Sequence, residues 1–186
     1  MKTTWTILQD DREKTPLLFP KHLVMLDPNS VPWNPRTITV SLQIKKSRLT
    51  TGDYALEGHE SKVLIERKKN LSELHQNLLT LSGRRRFVDC CLRLKSACTR
   101  PILILEGTVA TLIKAPRHHM ACDPWIVIDA LQRICLEHGI WIQYLSSTTL
   151  DQRRAVGEEV ARILINGAVT NGPYPSEHNH EELPSS

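Results

Sequence analysis

The run Val63-Leu64-Ile65-Glu66-Arg67-Lys68 constrains this chain more than any other feature, because three strand-core residues pass without a break into three charges. Val, Leu and Ile suit a pleated, covered strand. Folding alone gives no reason for Glu-Arg-Lys to end it, so chemistry is the expected reason. Upstream, Gly52-Asp53-Tyr54-Ala55-Leu56 reads as a second strand and Glu57-Gly58-His59-Glu60 as the turn between them. A symmetric turn centred between His59 and Glu60 sets Asp53 opposite Glu66, since each is equally far from the centre. The hairpin therefore predicts two carboxylates facing each other across its ladder.

Directly opposed residues have Cβ atoms about 4.5–5.5 Å apart, near enough for two carboxylates to share one hard cation through oxygen ligands at roughly 2.0–2.1 Å. Without a cation they repel. Side chains alternate along a strand, so Lys68 joins Glu66 on one face and Arg67 points to the other. An ion between the acids would polarise a phosphoryl oxygen and acidify bound water, while the amine orients that water or steadies negative charge. This is the equipment of metal-dependent phosphodiester hydrolysis. The bland alternative is a set of solvated charges at an exposed strand end.

Gly-Asp-Tyr, a short hairpin, then Ile-Glu-Arg-Lys running into a Leu-rich helix resembles the GDX(n)ERKX(3)D signature of the XPF-type structure-specific nucleases, a branch of the PD-(D/E)XK endonuclease superfamily. The resemblance implies that Asp53 and Glu66 ligate Mg²⁺ or Mn²⁺, that Lys68 positions or activates water, and that Arg67 belongs to the catalytic motif. The family's last acid falls at the position of Ser72 here; Glu73, one place on, is the stand-in. The family also opens its nuclease domain with an apolar strand ending in Asp-x-Arg-Glu, which Asp10-Asp11-Arg12-Glu13 after Ile7-Leu8 matches in order. By resemblance, Asp10 and Glu13 add carboxylates to the metal site and Arg12 contacts phosphate or braces an acid.

Between these motifs, prolines 20, 28, 32 and 35 predict an irregular connection over 20–36, and Thr37–Ile44 alternates as a strand. Lys45, Lys46 and Arg48 follow, either as phosphate contacts beside a hydrolytic site or as a solvated basic loop. From Asn70 to about Ala97 the spacing of Leu71, Leu74, Leu78, Phe87, Cys91 and Leu94 predicts a helix, with a break or kink at Ser82-Gly83. Arg84, Arg85 and Arg86 lie there, where the family's helix presents basic groups to DNA. Pro101–Glu106 is a strand covered on both faces, similar to the family's strand ending in Leu-Ile-Glu. The resemblance thus runs from residue 5 to residue 107.

Beyond it the pattern predicts a helix over Pro124–His138 closed near Gly139, a strand over Ile140–Leu145 and a helix over Leu150–Ile165. A chain of 186 residues, 40% hydrophobic and 24% charged, suits one domain with a substantial core, here 1–170. Residues 171–186 are polar, lack hydrophobic periodicity and are expected to be a disordered tail. That tail holds three of the 20 acids and none of the 24 Lys and Arg, so the first 170 residues carry +7 against +4 for the whole chain. The balance favours a polyanionic partner and says nothing of reaction. Five cysteines without a CxxC pair argue against a disulfide framework or a zinc ribbon, and His118, His119 and Cys122 lack an evident fourth ligand. No secretory leader or membrane span is visible.

The expectation is a restriction-endonuclease-like α/β fold, a mixed central sheet flanked by helices, carrying an intracellular Mg²⁺- or Mn²⁺-dependent DNA endonuclease. Family members cut flaps, forks and bubbles, usually as homodimers or heterodimers with an added helix-hairpin-helix domain; a lone nuclease domain is expected here, fitting a bacterial or viral repair or recombination nuclease in the cytoplasm. Two rivals stand beside it. One is an inactive DNA-binding or dimerisation subunit of the same fold, and the other is an ordinary interaction domain with incidental charges.

Overall fold

The computed structural model describes residues 3–30, 33–69, 71–114, 122–146 and 149–170. Its strands are β1 (Thr3–Asp10), β2 (His22–Leu26), β3 (Thr37–Ser47), β4 (Tyr54–Leu56), β5 (Val63–Lys68), β6 (Arg100–Glu106) and β7 (Trp141–Leu145). The helices are α1 (Leu71–Leu79), α2 (Leu81–Ala97), α3 (Val109–Ile113), α4 (Pro124–His138) and α5 (Leu150–Val169). Among the described residues the seven strands form one sheet in the order β2-β3-β1-β4-β5-β6-β7. The β1–β3, β5–β6 and β6–β7 pairs are parallel; β2–β3, β1–β4 and β4–β5 are antiparallel. This mixed sheet flanked by helices is the α/β architecture expected.

Each sheet face closes its own core. Leu8, Ala55, Leu64, Leu103 and Leu105 pack against Leu74 and Leu78 of α1, Phe87, Cys91 and Leu94 of α2, and Val127, Ile128 and Leu131 of α4. On the other face Ile7, Tyr54, Leu56, Val63, Ile65 and Ile104 meet Val156, Val160, Ala161, Leu164 and Ile165 of α5. Each buried Leu or Ile contributes about 1.5–3 kcal/mol, so the two cores fix the central strands firmly enough to hold charges at their ends. Alternation along β5 sends Leu64 to the first core and Val63 and Ile65 to the second; Glu66 and Lys68 continue the Leu64 face, Arg67 the other.

The prolines of 20–36 do not exclude regular structure, because the five-residue β2 between Pro20 and Pro28 alternates exposed and buried positions and pairs antiparallel with β3. β3 runs past Ile44 to Ser47, as its parallel ladder with β1 continues to Asp10 opposite Ser47, so Lys45 and Lys46 lie on a strand and not in a loop. The helical stretch breaks at Thr80, two residues before Ser82-Gly83. Thr80 caps α2, its hydroxyl accepting the Gly83 N–H at 3.1 Å and donating to the Gln76 carbonyl at 2.7 Å. Gly83 is buried inside α2, where a Cβ would collide with the Gln76 carbonyl oxygen; its small size serves the close packing of α1 on α2.

The short α3 has no counterpart in the sequence reading. α4 spans the predicted residues, with Pro124 in its first turn and Gly139 at φ +64° closing it. β7 begins at Trp141, and α5 extends to Val169, four residues past its expected end. His118 and His119, and the 171–186 tail, lie outside the described residues. No described helix is long and apolar enough to cross a membrane.

Candidate active site

The hairpin register is Tyr54 opposite Ile65 and Ala55 opposite Leu64, with Asp53 directly before β4 and Glu66 directly after Ile65 at the same end of the ladder. Asp53 is held by its own backbone on both sides. Its N–H donates to the Ile65 carbonyl at 2.7 Å and its carbonyl accepts the Asp10 N–H at 2.9 Å, tying it to β5 and to the end of β1. Gly52 makes this approach feasible: its φ is +80°, and a Cβ there would sit 3.2 Å from the Ile65 carbonyl oxygen. The Asp53 carboxylate then accepts the Arg67 main-chain N–H through Oδ2 at 2.7 Å.

Beside it, Lys68 Nζ donates to Glu66 Oε1 at 2.7 Å, with both side chains only 14% exposed. Glu73, in the first turn of α1, reaches the same ammonium at 3.6 Å, and its Oε2 accepts the Lys69 N–H at 3.1 Å. Burial and then repulsion from Glu66 push the Asp53 acid up to about 7, against the Arg67 N–H and Lys68, with a weaker repulsion from Glu13. For Lys68, burial opposes its charge, but Glu66 and Glu73 outweigh it and hold the ammonium above the ordinary lysine range. Burial, followed by Glu66, also pushes the Cys90 thiol of α2 up to about 12.

The other two acids are engaged elsewhere. Asp10, 1% exposed, accepts the Arg12 N–H at 2.8 Å and Arg12 Nε at 2.7 Å through Oδ1, and Arg12 Nη2 at 2.6 Å and the Leu49 N–H at 3.2 Å through Oδ2. The Arg12 side chain holds its acid down at about 2. Glu13 pairs with Lys69 at 3.1 Å and Arg67 at 3.6 Å, and Oε1 accepts the Thr15 N–H at 2.9 Å. Among the described residues no group of three or more His, Cys, Asp or Glu is placed to hold a metal. Asp53 and Glu66 thus lie together, while Asp10 is bound by Arg12, and Glu13 by Lys69 and at longer range by Arg67. The Arg12 fork closes on Asp10 through Nε and Nη2, whereas Glu13 lies nearest the Lys69 ammonium.

The Asp53 and Glu66 pair still fits a hard divalent ion. Two half-buried carboxylates that repel each other form an all-oxygen donor set that gains from a cation, and Mg²⁺ characteristically takes one or two carboxylates, completing its shell with waters and substrate phosphates. Of the basic groups, Lys45 donates to Glu57 at 2.6 Å and Arg48 to Asp11 at 3.0 Å. Lys46, Arg84, Arg85 and Arg86 are exposed and make no ion pair with a described residue.

Sequence reasoning did not single out Glu106, Lys69 or Tyr54 as site residues. Glu106 pairs with Arg67 Nη2, Lys69 with Glu13, and the Tyr54 hydroxyl accepts the Leu17 N–H at 3.0 Å. For Glu106 the signal existed: Leu103-Ile104-Leu105-Glu106 repeats on β6 the apolar-run-into-acid pattern of Ile65-Glu66 on β5.

A mixed sheet flanked by helices holds Asp53 just before β4, Glu66 on β5 and a lysine two residues further on. The chain belongs to the ERCC4 domain family, whose model matches residues 35–150, a stretch that contains the Asp53–Lys68 hairpin and not the Asp10–Glu13 segment. The fold is that of XPF from Aeropyrum pernix, with a TM-score of 0.57 at 17% identity, 97% of this chain and 69% of that one being covered. A second structure of XPF from Aeropyrum pernix, in complex with DNA, matches with a TM-score of 0.54 at 18% identity over 90% of this chain and 68% of that one. No match was found among curated proteins.

Proposed function

We propose that this protein is a Mg²⁺- or Mn²⁺-dependent DNA endonuclease that hydrolyses phosphodiester bonds in branched DNA. The observation that carries the reading is the hairpin that brings Asp53 and Glu66 to one end of its ladder, with the Lys68 ammonium 2.7 Å from Glu66. Family membership and the likeness to an XPF structure solved with DNA support it. Asp53 and Glu66 would hold the ion, which when bound supplies Lewis acidity toward a phosphoryl oxygen and an acidified water. Asp53 offers its carboxylate in a fixed direction, because the Arg67 N–H already occupies Oδ2.

Lys68 contributes a permanent positive charge next to the reacting phosphate, steadying the charge that develops there. Glu73 holds that ammonium from the α1 side. Lys46 and Arg84–Arg86 offer the phosphate contacts that set affinity without reading sequence. The closure of the Arg12 fork on Asp10 supports a bracing role for Arg12.

The test is a panel of flap, fork, bubble, Holliday-junction and plain duplex DNAs, each with Mg²⁺, Mn²⁺ or EDTA. Metal-dependent nicking of the branched substrates is expected, with none in EDTA. Tight binding without cleavage in either metal would make the protein an inactive DNA-binding subunit, and absence of binding would make it an interaction domain.

A further inference from the structure

Arg67 continues the face of β5 that Val63 and Ile65 devote to apolar packing against α5, yet its side chain is only 2% exposed. A buried guanidinium is costly unless paired and hydrogen-bonded. Here it meets Glu106 through Nη2, Glu13 at 3.6 Å through Nη1, and the Thr15 carbonyl at 2.6 Å through Nη1. Glu106 ends β6, the parallel neighbour of β5, so the grip comes from the strand next in the sheet. The same residue's main chain does something different. Its N–H projects within the sheet toward β4 and donates to Asp53 Oδ2 at 2.7 Å. Of the influences that favour the charged form of Asp53, this N–H is the first, ahead of Lys68.

We propose that Glu106, assisted by Glu13, is a positioning residue for Asp53: it clamps the Arg67 side chain on the far face of the sheet and so aims the Arg67 main-chain N–H at the Asp53 carboxylate. Two faces of one strand residue are thereby linked. The side chain is the anchor and the peptide is the pointer, which explains why a charge sits where the strand's own pattern calls for an apolar residue. The consequence for metal binding rests on Asp53 being a ligand, whereas the geometric link does not.

The experiment is amide NMR of Glu106→Gln against wild type in EDTA, followed by Mn²⁺ titration. In wild type the Arg67 amide proton should be shifted downfield and protected from exchange, as a charge-assisted donor is. In Glu106→Gln it should move upfield and exchange at least about tenfold faster, while the amides of Val63–Ile65 keep their protection. Mn²⁺ affinity should fall roughly 10- to 100-fold, the usual effect of losing an outer-shell partner, and Glu106→Gln should cause no further loss in an Asp53→Asn background. An unchanged Arg67 amide in a destabilised Glu106→Gln protein would reduce Glu106 to a stabilising ion pair and overturn the proposal. Should Glu106→Gln not fold, Arg67→Lys, which keeps the buried charge and loses the fork, decides in its place: the residue 67 amide loosens or the proposal fails. Were wild type to bind no Mn²⁺, the metal reading would fall while the amide result still decided the positioning role.

Discussion

Replacing Asp53 with Asn should stabilise the metal-free protein at alkaline pH and destroy its response to metal. The native Asp53 acid lies at about 7 against an ordinary 3.8, because burial and Glu66 disfavour its charge. Between those values the folded state holds a proton that the unfolded chain has released, so stability falls as pH rises from about 4 to 7 and then levels. At roughly 1.36 kcal/mol per pKa unit the full cost of ionising Asp53 in the fold is about 4 kcal/mol. Asn escapes that cost, in which the help of the Arg67 N–H to the carboxylate is already included. The net gain at pH 8 in EDTA is about 4 kcal/mol, or a Tm about 8–16 °C higher for a domain of this size. At pH 4 the advantage should vanish. Divalent ion at a hundred times its Kd should stabilise wild type by about 2.7 kcal/mol and the variant hardly at all. Thermal melts of both proteins at pH 4 and pH 8, with EDTA and with Mn²⁺, give every quantity needed. An equal Mn²⁺ shift in the two proteins, or a Tm difference that does not change with pH, would refute the reasoning.

Other outcomes follow from the same geometry. Mn²⁺ must displace the Asp53 proton below about 7, so calorimetric affinity should rise about tenfold per pH unit up to neutrality and then flatten; a flat profile from pH 5.5 to 7 would contradict this. Gly52→Ala forces a side chain into a φ of +80° and to 3.2 Å from the Ile65 carbonyl oxygen. It should cost at least about 1–2 kcal/mol in chemical denaturation and, by displacing Asp53, most of the cleavage rate. Glu73→Gln removes one of the two acids facing Lys68 and should slow single-turnover cleavage roughly tenfold, with DNA affinity unchanged in a gel-shift titration.

The hairpin at the centre of the site was legible because it depends on local rules. Side chains alternate with period two, and a turn about His59-Glu60 leaves only one symmetric register, the one that β4 and β5 adopt. α4 was legible for a similar reason, with Pro at its start and Gly in the left-handed region at its end. What escaped depends on partners distant in sequence. β2 is a strand because β3 pairs with it, and the flanking prolines concealed that. Gly83 resembles a helix breaker until α1 is packed against it, whereas Thr80 supplies the break by capping. Asp10 and Glu13 stand in the expected order, but which basic side chain each meets depends on what the fold brings near. Arg12 claims the first, and Arg67, 54 positions further along the chain than Glu13, claims part of the second.

The central claim is that Asp53 and Glu66 together hold the ion that cuts DNA, and cleavage measured alongside binding in the same variants tests it most directly. With a fluorescent flap or fork DNA and saturating Mn²⁺, Asp53→Asn and Glu66→Gln should each lose cleavage by at least about a thousandfold, on the order of the several kcal/mol a catalytic ion supplies. Their DNA affinity in EDTA should stay within about threefold of wild type, because the phosphate contacts come from Lys and Arg. Undiminished nicking by both variants, with the same metal requirement as wild type, would put the active site elsewhere in the fold.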